Sequence, residues 1–325
     1  MLRRTLRLIG AAALAVPVVV GCNGPSGSDG ANLSVKHALA RQPSTGFAAS
    51  GKAAPCGWKA KAGYRHVIWI WMENRSYGQI LGRSGGAEHL ASYARKCGTA
   101  TNYDAIRHPS LPNYIAATSG STHGISSDCG PADCPVPGRS VFSQLDRSGA
   151  GWAAYAESMK HRCDRDSNDR YAARHNPPVY YRALRGSCLA HDRKMGGPKG
   201  RFARHLAAGR LPGFTFVAPN LCDDGHDCST ATSDAWLGYW LGRITASPVY
   251  RAGRTVVFVT WDENDYSAAS NQVATVVIAP TVKPGTRSHR HFTHYSLLRT
   301  TESLLHLRYL RGAATATDMR SAFDL

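Results

Sequence analysis

The sequence predicts an α/β protein of three layers, with a mostly parallel central sheet between helices. Short continuous apolar runs recur along the chain, each of a length that suits a strand buried on both faces. Segments with helical apolar spacing alternate with them, and that alternation is what a layered parallel sheet requires. The runs end in polar packets, and in open sheets of this kind functional groups gather at the carboxyl ends of the strands. A composition of 43% hydrophobic and 19% charged residues over 325 positions supplies a core and excludes a disordered chain.

The N-terminus is not part of that fold. MLRRTLRLIGAAALAVPVVVGC sets Arg3, Arg4 and Arg7 before an apolar run over 8–20, then Gly21 and Cys22. This is the layout of an export signal, and Pro17 and its short length exclude a spanning helix. Val19-Val20-Gly21-Cys22 matches a bacterial lipobox. Residues 1–21 therefore read as a lipoprotein signal peptide and Cys22 as the lipidated residue, against the alternative of an ordinary signal peptide with an incidental cysteine. Residues 22–60 are rich in Gly, Ser, Ala and Pro and read as a flexible tether. The expected location is the outer face of the cell membrane, through that anchor, or the medium. Residues 61–325 remain for the folded domain.

Within it the elements follow in order. RHVIWIWM (65–72) is a buried strand, EHLASYARK (88–96) a helix, and 111–118 a short helix opened by Pro112. SVFSQLDRSG (140–149) is helical and WAAYAES (152–158) a strand. GFTFVAP (213–219) is a strand and SDAWLGYWLGRI (233–244) an amphipathic helix. RTVVFVTW (254–261) and QVATVVIAP (272–280) are buried strands, and HYSLLRTTESLLHL (294–307) is the last helix. Residues 147–212, rich in Arg, Tyr, His and Cys, are long for a connection and are expected to cap the site.

Of nine cysteines, eight remain when Cys22 is set aside. An even number in an exported chain reads as disulfides, with Cys129/Cys134 and Cys222/Cys228 the nearest in sequence. A zinc site is the alternative, but no C-x-x-C spacing supports it. The formal net charge of +17 favours anionic partners, whether phosphorylated small molecules, lipid headgroups, cell-wall polymers or nucleic acid, while most of these charges read as a plain solvated surface. The basic residues are scattered rather than blocked, so no specific nucleic acid is expected. The chain is expected to be a monomer.

Three strands end in acids and amides: Glu73 and Asn74 after the first, Asp223, Asp224, His226 and Asp227 after GFTFVAP, and Asp262, Glu263, Asn264 and Asp265 after RTVVFVTW. Acids at strand ends are often merely solvated. Three packets at one edge repel one another unless a cation joins them, and their oxygens suit a hard divalent ion, with Ca, Mg, Mn, Zn and Fe all open. Ser110 opens the 111–118 helix. As an N-cap it would accept a hydrogen bond from the first turn; as a metal-bound nucleophile it would attack phosphorus with the helix end stabilising the product. The two roles are compatible. Asn113, one turn further on, is placed for a phosphate oxygen.

HVIWIWMENRSYGQILG, HPSLPNYIAATSGSTHGI, PNLCDDGHDCS, TWDEND and HYSLLRTTESLL occur in this order. From about residue 66 onward the chain resembles the phosphoesterase family of secreted bacterial and fungal acid phosphatases and C-type phospholipases, within the alkaline phosphatase-like superfamily. The resemblance implies an alkaline phosphatase-like fold and a metal held by Glu73, Asn74, Ser110, Asp262 and Glu263, with Ser110 as nucleophile. It implies phosphate contact by Asn113, His226 and His294 as histidines near the phosphate, and His108 and His175 in substrate binding. His108, His226 and His294 sit inside motif segments, and a protonated one would donate to the leaving oxygen. The implied activity is acid phosphatase hydrolysis of monoesters through a phosphoserine. The alternatives are a diesterase or phospholipase C acting on lipid headgroups, and a non-catalytic lipoprotein that binds anionic polymers. The chain departs from the family pattern where Asn-Asp-Met-His-Asp is expected and residues 223–227 read DDGHD, and at Tyr266, where glycine is frequent. It is short for the phospholipase branch, which favours the monoesterases.

Overall fold

The computed structural model describes residues 53–58 and 63–325. The expected signal peptide, Cys22 and most of the expected tether lie outside the described residues. The end of the expected tether is part of the folded domain: Cys56 is buried and disulfide-bonded to Cys97, and Trp58 N–H donates to the Pro280 carbonyl at 2.8 Å.

Among the described residues, ten strands are β1 His66–Met72, β2 Gly98–Ala100, β3 Tyr103–Asp104, β4 Trp152–Ala156, β5 Asp192–Lys194, β6 Phe214–Ala218, β7 Thr255–Trp261, β8 Thr275–Ile278, β9 Thr286–Ser288 and β10 Phe292–Thr293. Eight of them form one sheet in the order β5-β4-β6-β1-β7-β8-β2-β9, and β10 pairs with β3 separately. β8 alone runs against its neighbours in the large sheet. Both β1 and β7 are buried on both faces, as their unbroken apolar runs require.

The α-helices are α1 Tyr77–Leu81, α2 Glu88–Lys96, α3 Ser110–Ser119, α4 Val141–Ser148, α5 Cys188–His191, α6 Arg201–Ala207, α7 Thr230–Ala246, α8 Pro248–Arg251, α9 His294–Leu304 and α10 Arg320–Phe323. Alternation along the strands assigns them to faces. Trp69 and Trp71 point to one face, where Trp69 Nε1 donates to Thr301 of α9 at 3.0 Å and Trp71 lies against Tyr114 of α3. Ile70 is in register with Val217, and Val217 with Tyr155, on the other face. There Tyr155 meets Phe202 of α6, which meets Trp240 of α7. The result is the expected three layers.

The expected cap is narrower than 147–212, because β4 and β5 fall inside that span and join the sheet. What stands outside it is mainly 157–191, a run of short turns clamped by Cys163–Cys188. The expected final helix is followed by one more short helix, α10. Cys129–Cys134 and Cys222–Cys228 pair as their spacing suggests.

Candidate active site

β1 and β7 are hydrogen-bonded neighbours with Met72 opposite Trp261, so Glu73 and Asp262 leave the sheet side by side. Asp262 N–H donates to the Met72 carbonyl at 3.0 Å, and Asn74 N–H donates to Asp262 Oδ1 at 3.1 Å. Asn74 turns with φ +46°, a left-handed conformation that asparagine tolerates better than most residues. The turn after β6 joins the same edge: Glu73 N–H donates to the Asp224 carbonyl at 3.0 Å.

α3 brings the serine. Ser110 is 2% exposed and its hydroxyl caps no backbone group. The capping is done by Asp128, whose Oδ1 accepts from Leu111 N–H at 2.9 Å. Ser110 Oγ is thereby free to turn to the carboxylates, 3.2 Å from Glu73 Oε2 and 3.5 Å from Glu263 Oε1. One helical turn on, Tyr114 donates its hydroxyl to Glu73 Oε1. Its ring stacks on His175 at 5.4 Å between centroids and 7° between planes. His175 comes from the cap and is buried between two acids, with Nε2 3.3 Å from Glu73 Oε2 and Nδ1 3.3 Å from Asp224 Oδ2.

Glu73, Asp224, Asp262 and Glu263 are thus buried together. Burial raises all four, holding Asp262 at about 7, Asp224 at about 8 and Glu263 at about 9, with Glu73 well above its usual range. Repulsion from Asp262 raises Glu73 and Glu263 further, and Arg174 partly offsets it. Burial pushes His175 well below its usual range, so it stands neutral among the acids.

Such a cluster wants a cation, and its donors fit one. Asn74 Oδ1 and Asp262 Oδ2 are buried without a hydrogen-bond partner. With the Glu73 and Glu263 carboxylates and Ser110 Oγ they make an all-oxygen set of the kind hard divalent ions take. Among the described residues, one trio of acidic, histidine or cysteine donors lies within 4.8 Å of one another, Cys163, Cys188 and Asp192, and its sulfurs are joined to each other. A metal at the strand ends must therefore recruit the asparagine and serine oxygens as well as carboxylates.

The remaining expected residues take different positions. His108 Nδ1 lies 2.7 Å from Glu263 Oε2 at the wall of the site. His226 is at the rim, its Nδ1 2.6 Å from Asp227 and its Nε2 3.2 Å from Arg174 Nη2. His294 is fully buried behind the carboxylates, with Nε2 2.7 Å from the Asp262 carbonyl and Nδ1 3.1 Å from the Tyr103 hydroxyl; burial lowers it to about 4. Both its ring nitrogens are engaged, so in this arrangement it positions Asp262 rather than facing an incoming ester. Asn113 is similarly occupied: Oδ1 accepts from Ile106 and Arg107 N–H, Nδ2 donates to the Arg107 carbonyl at 2.8 Å and lies 3.4 Å from Glu263 Oε2. It holds the loop in front of Ser110 and faces the cluster with what remains.

Sequence reasoning gave no role to Tyr114, Asp128, Arg174 or Asp224. Tyr114 was findable, since position i+4 from Ser110 lies on the same helix face. Asp224 stood within a noted packet. Asp128 and Arg174, 3.6 Å apart, have no local signal and reach the site only through the loops.

A serine at a helix start, facing acids at the carboxyl edge of a mostly parallel three-layer sheet, defines an alkaline phosphatase-like α/β protein. The chain belongs to the Phosphoesterase family, which matches residues 89–308. It is 30% identical to a phosphatidylinositol-3-phosphatase of Mycobacterium tuberculosis over 79% of this chain and 83% of that protein. It is 26% identical to a probable acid phosphatase of Kluyveromyces lactis over 77% of this chain, but spans only 60% of the yeast protein's length. Its fold is similar to that of a protein in the alkaline phosphatase superfamily from Vibrio parahaemolyticus, with TM-score 0.54, 12% identity, and 82% and 74% of the two chains covered.

Proposed function

We propose that the protein is an exported, metal-dependent acid phosphatase that hydrolyses phosphate monoesters through a phosphoserine on Ser110. The observation that carries this reading is the Ser110 hydroxyl, released from capping by Asp128 and turned toward Glu73 and Glu263. A divalent cation held by Glu73, Asn74, Ser110, Asp262 and Glu263 would supply Lewis-acid charge that favours the serine alkoxide and the phosphoryl oxygens.

The chain's own groups account for the rest. Ser110 Oγ bonds to phosphorus in line with the ester oxygen, and the bond from phosphorus to that oxygen breaks with its electron pair leaving on the alcohol. The serine proton passes to Glu73 or Glu263, which the bound cation would keep ionised. His226, held by Asp227 at Nδ1, gives the alcohol a proton from Nε2 once Arg174 turns from that nitrogen to the phosphate. Water then bonds to phosphorus with its proton taken back by His226, the bond to Ser110 breaks, and the serine recovers its proton from the carboxylate. Arg174 at the rim faces phosphate anions, and the helix start favours the phosphoserine.

The relative named as a phosphatidylinositol-3-phosphatase favours a second reading, a monoester on an inositol lipid headgroup. An anchor on Cys22 would hold the enzyme at such a surface.

The test is hydrolysis of a chromogenic phosphate monoester and the matching diester from pH 4 to 9, with and without chelator. Ser110→Ala should reduce monoester turnover by about a thousandfold or more with the fold intact by circular dichroism. Full activity in that variant would end the phosphoserine mechanism. A wild-type protein inert toward both esters under every divalent metal would leave the binding-lipoprotein alternative.

A further inference from the structure

Tyr266 stands on the loop after β7, three residues beyond Glu263, and is 69% exposed. An exposed aromatic residue by itself decides nothing. Two further observations do. Its ring is stacked on His108 at 3.9 Å between centroids and 25° between planes, and His108 is the residue in contact with Glu263. Its backbone has φ +61°, a conformation that a bulky residue adopts only where its surroundings impose it.

Those surroundings are built for the purpose. Tyr266 N–H donates to Asn264 Oδ1 at 2.8 Å. Asn264 Nδ2 donates to the Ser270 carbonyl at 2.6 Å, and Asn264 N–H donates to Asn271 Oδ1 at 2.8 Å. Asp265 accepts from Gln79 Nε2 at 2.6 Å. The loop is therefore pinned on both sides of a ring that is no part of the hydrophobic core. A left-handed backbone and a ring left in water both cost stability, and no core packing offsets them. The inner face lies on a wall of the active site and the outer face is open.

We propose that the outer face of Tyr266 is a stacking platform for the alcohol portion of the substrate, so that the preferred esters carry a planar ring, a nucleobase or an aryl group, on the leaving group. This inference rests on the monoesterase reading of Ser110. Every such ring has a π face, so the platform selects ring against no ring and does not select one base. Its inner contact with His108 fixes the orientation of the ring before substrate arrives.

Adenosine 5′-monophosphate and ribose 5-phosphate test it, because they share a primary alcohol leaving group and differ only in the base. The full chain and its Tyr266→Phe, Tyr266→Ala and Tyr266→Gly variants are compared by kcat/KM on each. The wild type should prefer the nucleotide by about tenfold, chiefly through KM, and Tyr266→Phe should keep that ratio. Tyr266→Ala and Tyr266→Gly should bring the ratio close to one, and Tyr266→Gly should melt no lower than wild type because glycine accepts this φ. A ratio near one in wild type, a ratio unchanged in Tyr266→Ala, or equal losses on both substrates overturns the platform while leaving the monoesterase reading intact. A wild type that hydrolyses neither these esters nor the chromogenic monoester overturns the underlying reading, and the platform with it.

Discussion

The floor and the roof of the site are built differently. The floor is Glu73, Asn74, Asp262 and Glu263, carried on adjacent central strands and fixed by main-chain hydrogen bonds. The roof is Arg174 and His175 from the cap with His226 from the turn after β6, carried on short segments clamped by Cys163–Cys188 and Cys222–Cys228. The floor is acidic and, Asn74 apart, buried; the roof has one arginine cation, a buried histidine and a half-exposed one. The difference teaches that the acids and Asn74 are tied to the sheet, whose register the core enforces, while the arginine and histidines above them are tied to covalent staples.

The sharpest way to break this division is at the floor. Asp262→Asn keeps the acceptor for Asn74 N–H but removes a charge from the donor set. It should lower kcat by about a thousandfold and abolish any rise in melting temperature caused by divalent cation, with secondary structure retained. Turnover and thermal melts with and without cation measure both. An Asp262→Asn protein still stabilised by cation would move the metal elsewhere.

The roof should respond in a different currency. Replacing Cys163 and Cys188 together by serine should cost about 2–4 kcal/mol of stability in denaturant melts. Turnover of a small monoester well below the new melting point should fall far less than in Asp262→Asn. Equal collapse of activity in both variants would show that the floor cannot stand without the roof.

The smallest effect is in pH. Asp262, Asp224 and Glu263 are raised to about 7, 8 and 9, so with the cation chelated the folded chain keeps protons that the unfolded chain releases above its ordinary carboxylate range. Their contribution to stability is full below pH ~4 and is lost as pH rises through these folded values. Melting temperature in chelator should therefore decline from pH 5 to pH 9, and excess divalent cation should flatten the decline. A rise with pH in chelator would contradict the buried, uncompensated cluster.

The same division governed what could be read in advance. β1, β6 and β7 announce themselves as apolar runs, and Glu73 and Asp262 follow because chemistry sits where such strands end. Ser110 stood out at the start of its helix as cap or nucleophile, and the Phosphoesterase motifs favoured the nucleophile. Asp128 as the cap in place of Ser110 was not legible, because it lies seventeen residues from Leu111 in a loop stapled by its own disulfide. Nor was the placement of His175, since the run around it has neither a helix nor a strand period. The strands β4 and β5 inside the expected cap were obscured for the opposite reason: β5 is three residues long and polar, and joins the sheet only because β4 offers an edge.

Asn74 and Asp262 are hydrogen-bonded across 188 residues of chain. A polypeptide emerging from its N-terminus presents the serine and the first acid early and the matching carboxylates only after the seventh strand has appeared. Until then β1 lacks one of its two neighbours and the donor set is half made. The buried acid cluster is therefore completed only when β7 joins the sheet, and a fragment cut short before β7 holds Ser110 and Glu73 without Asp262 and Glu263.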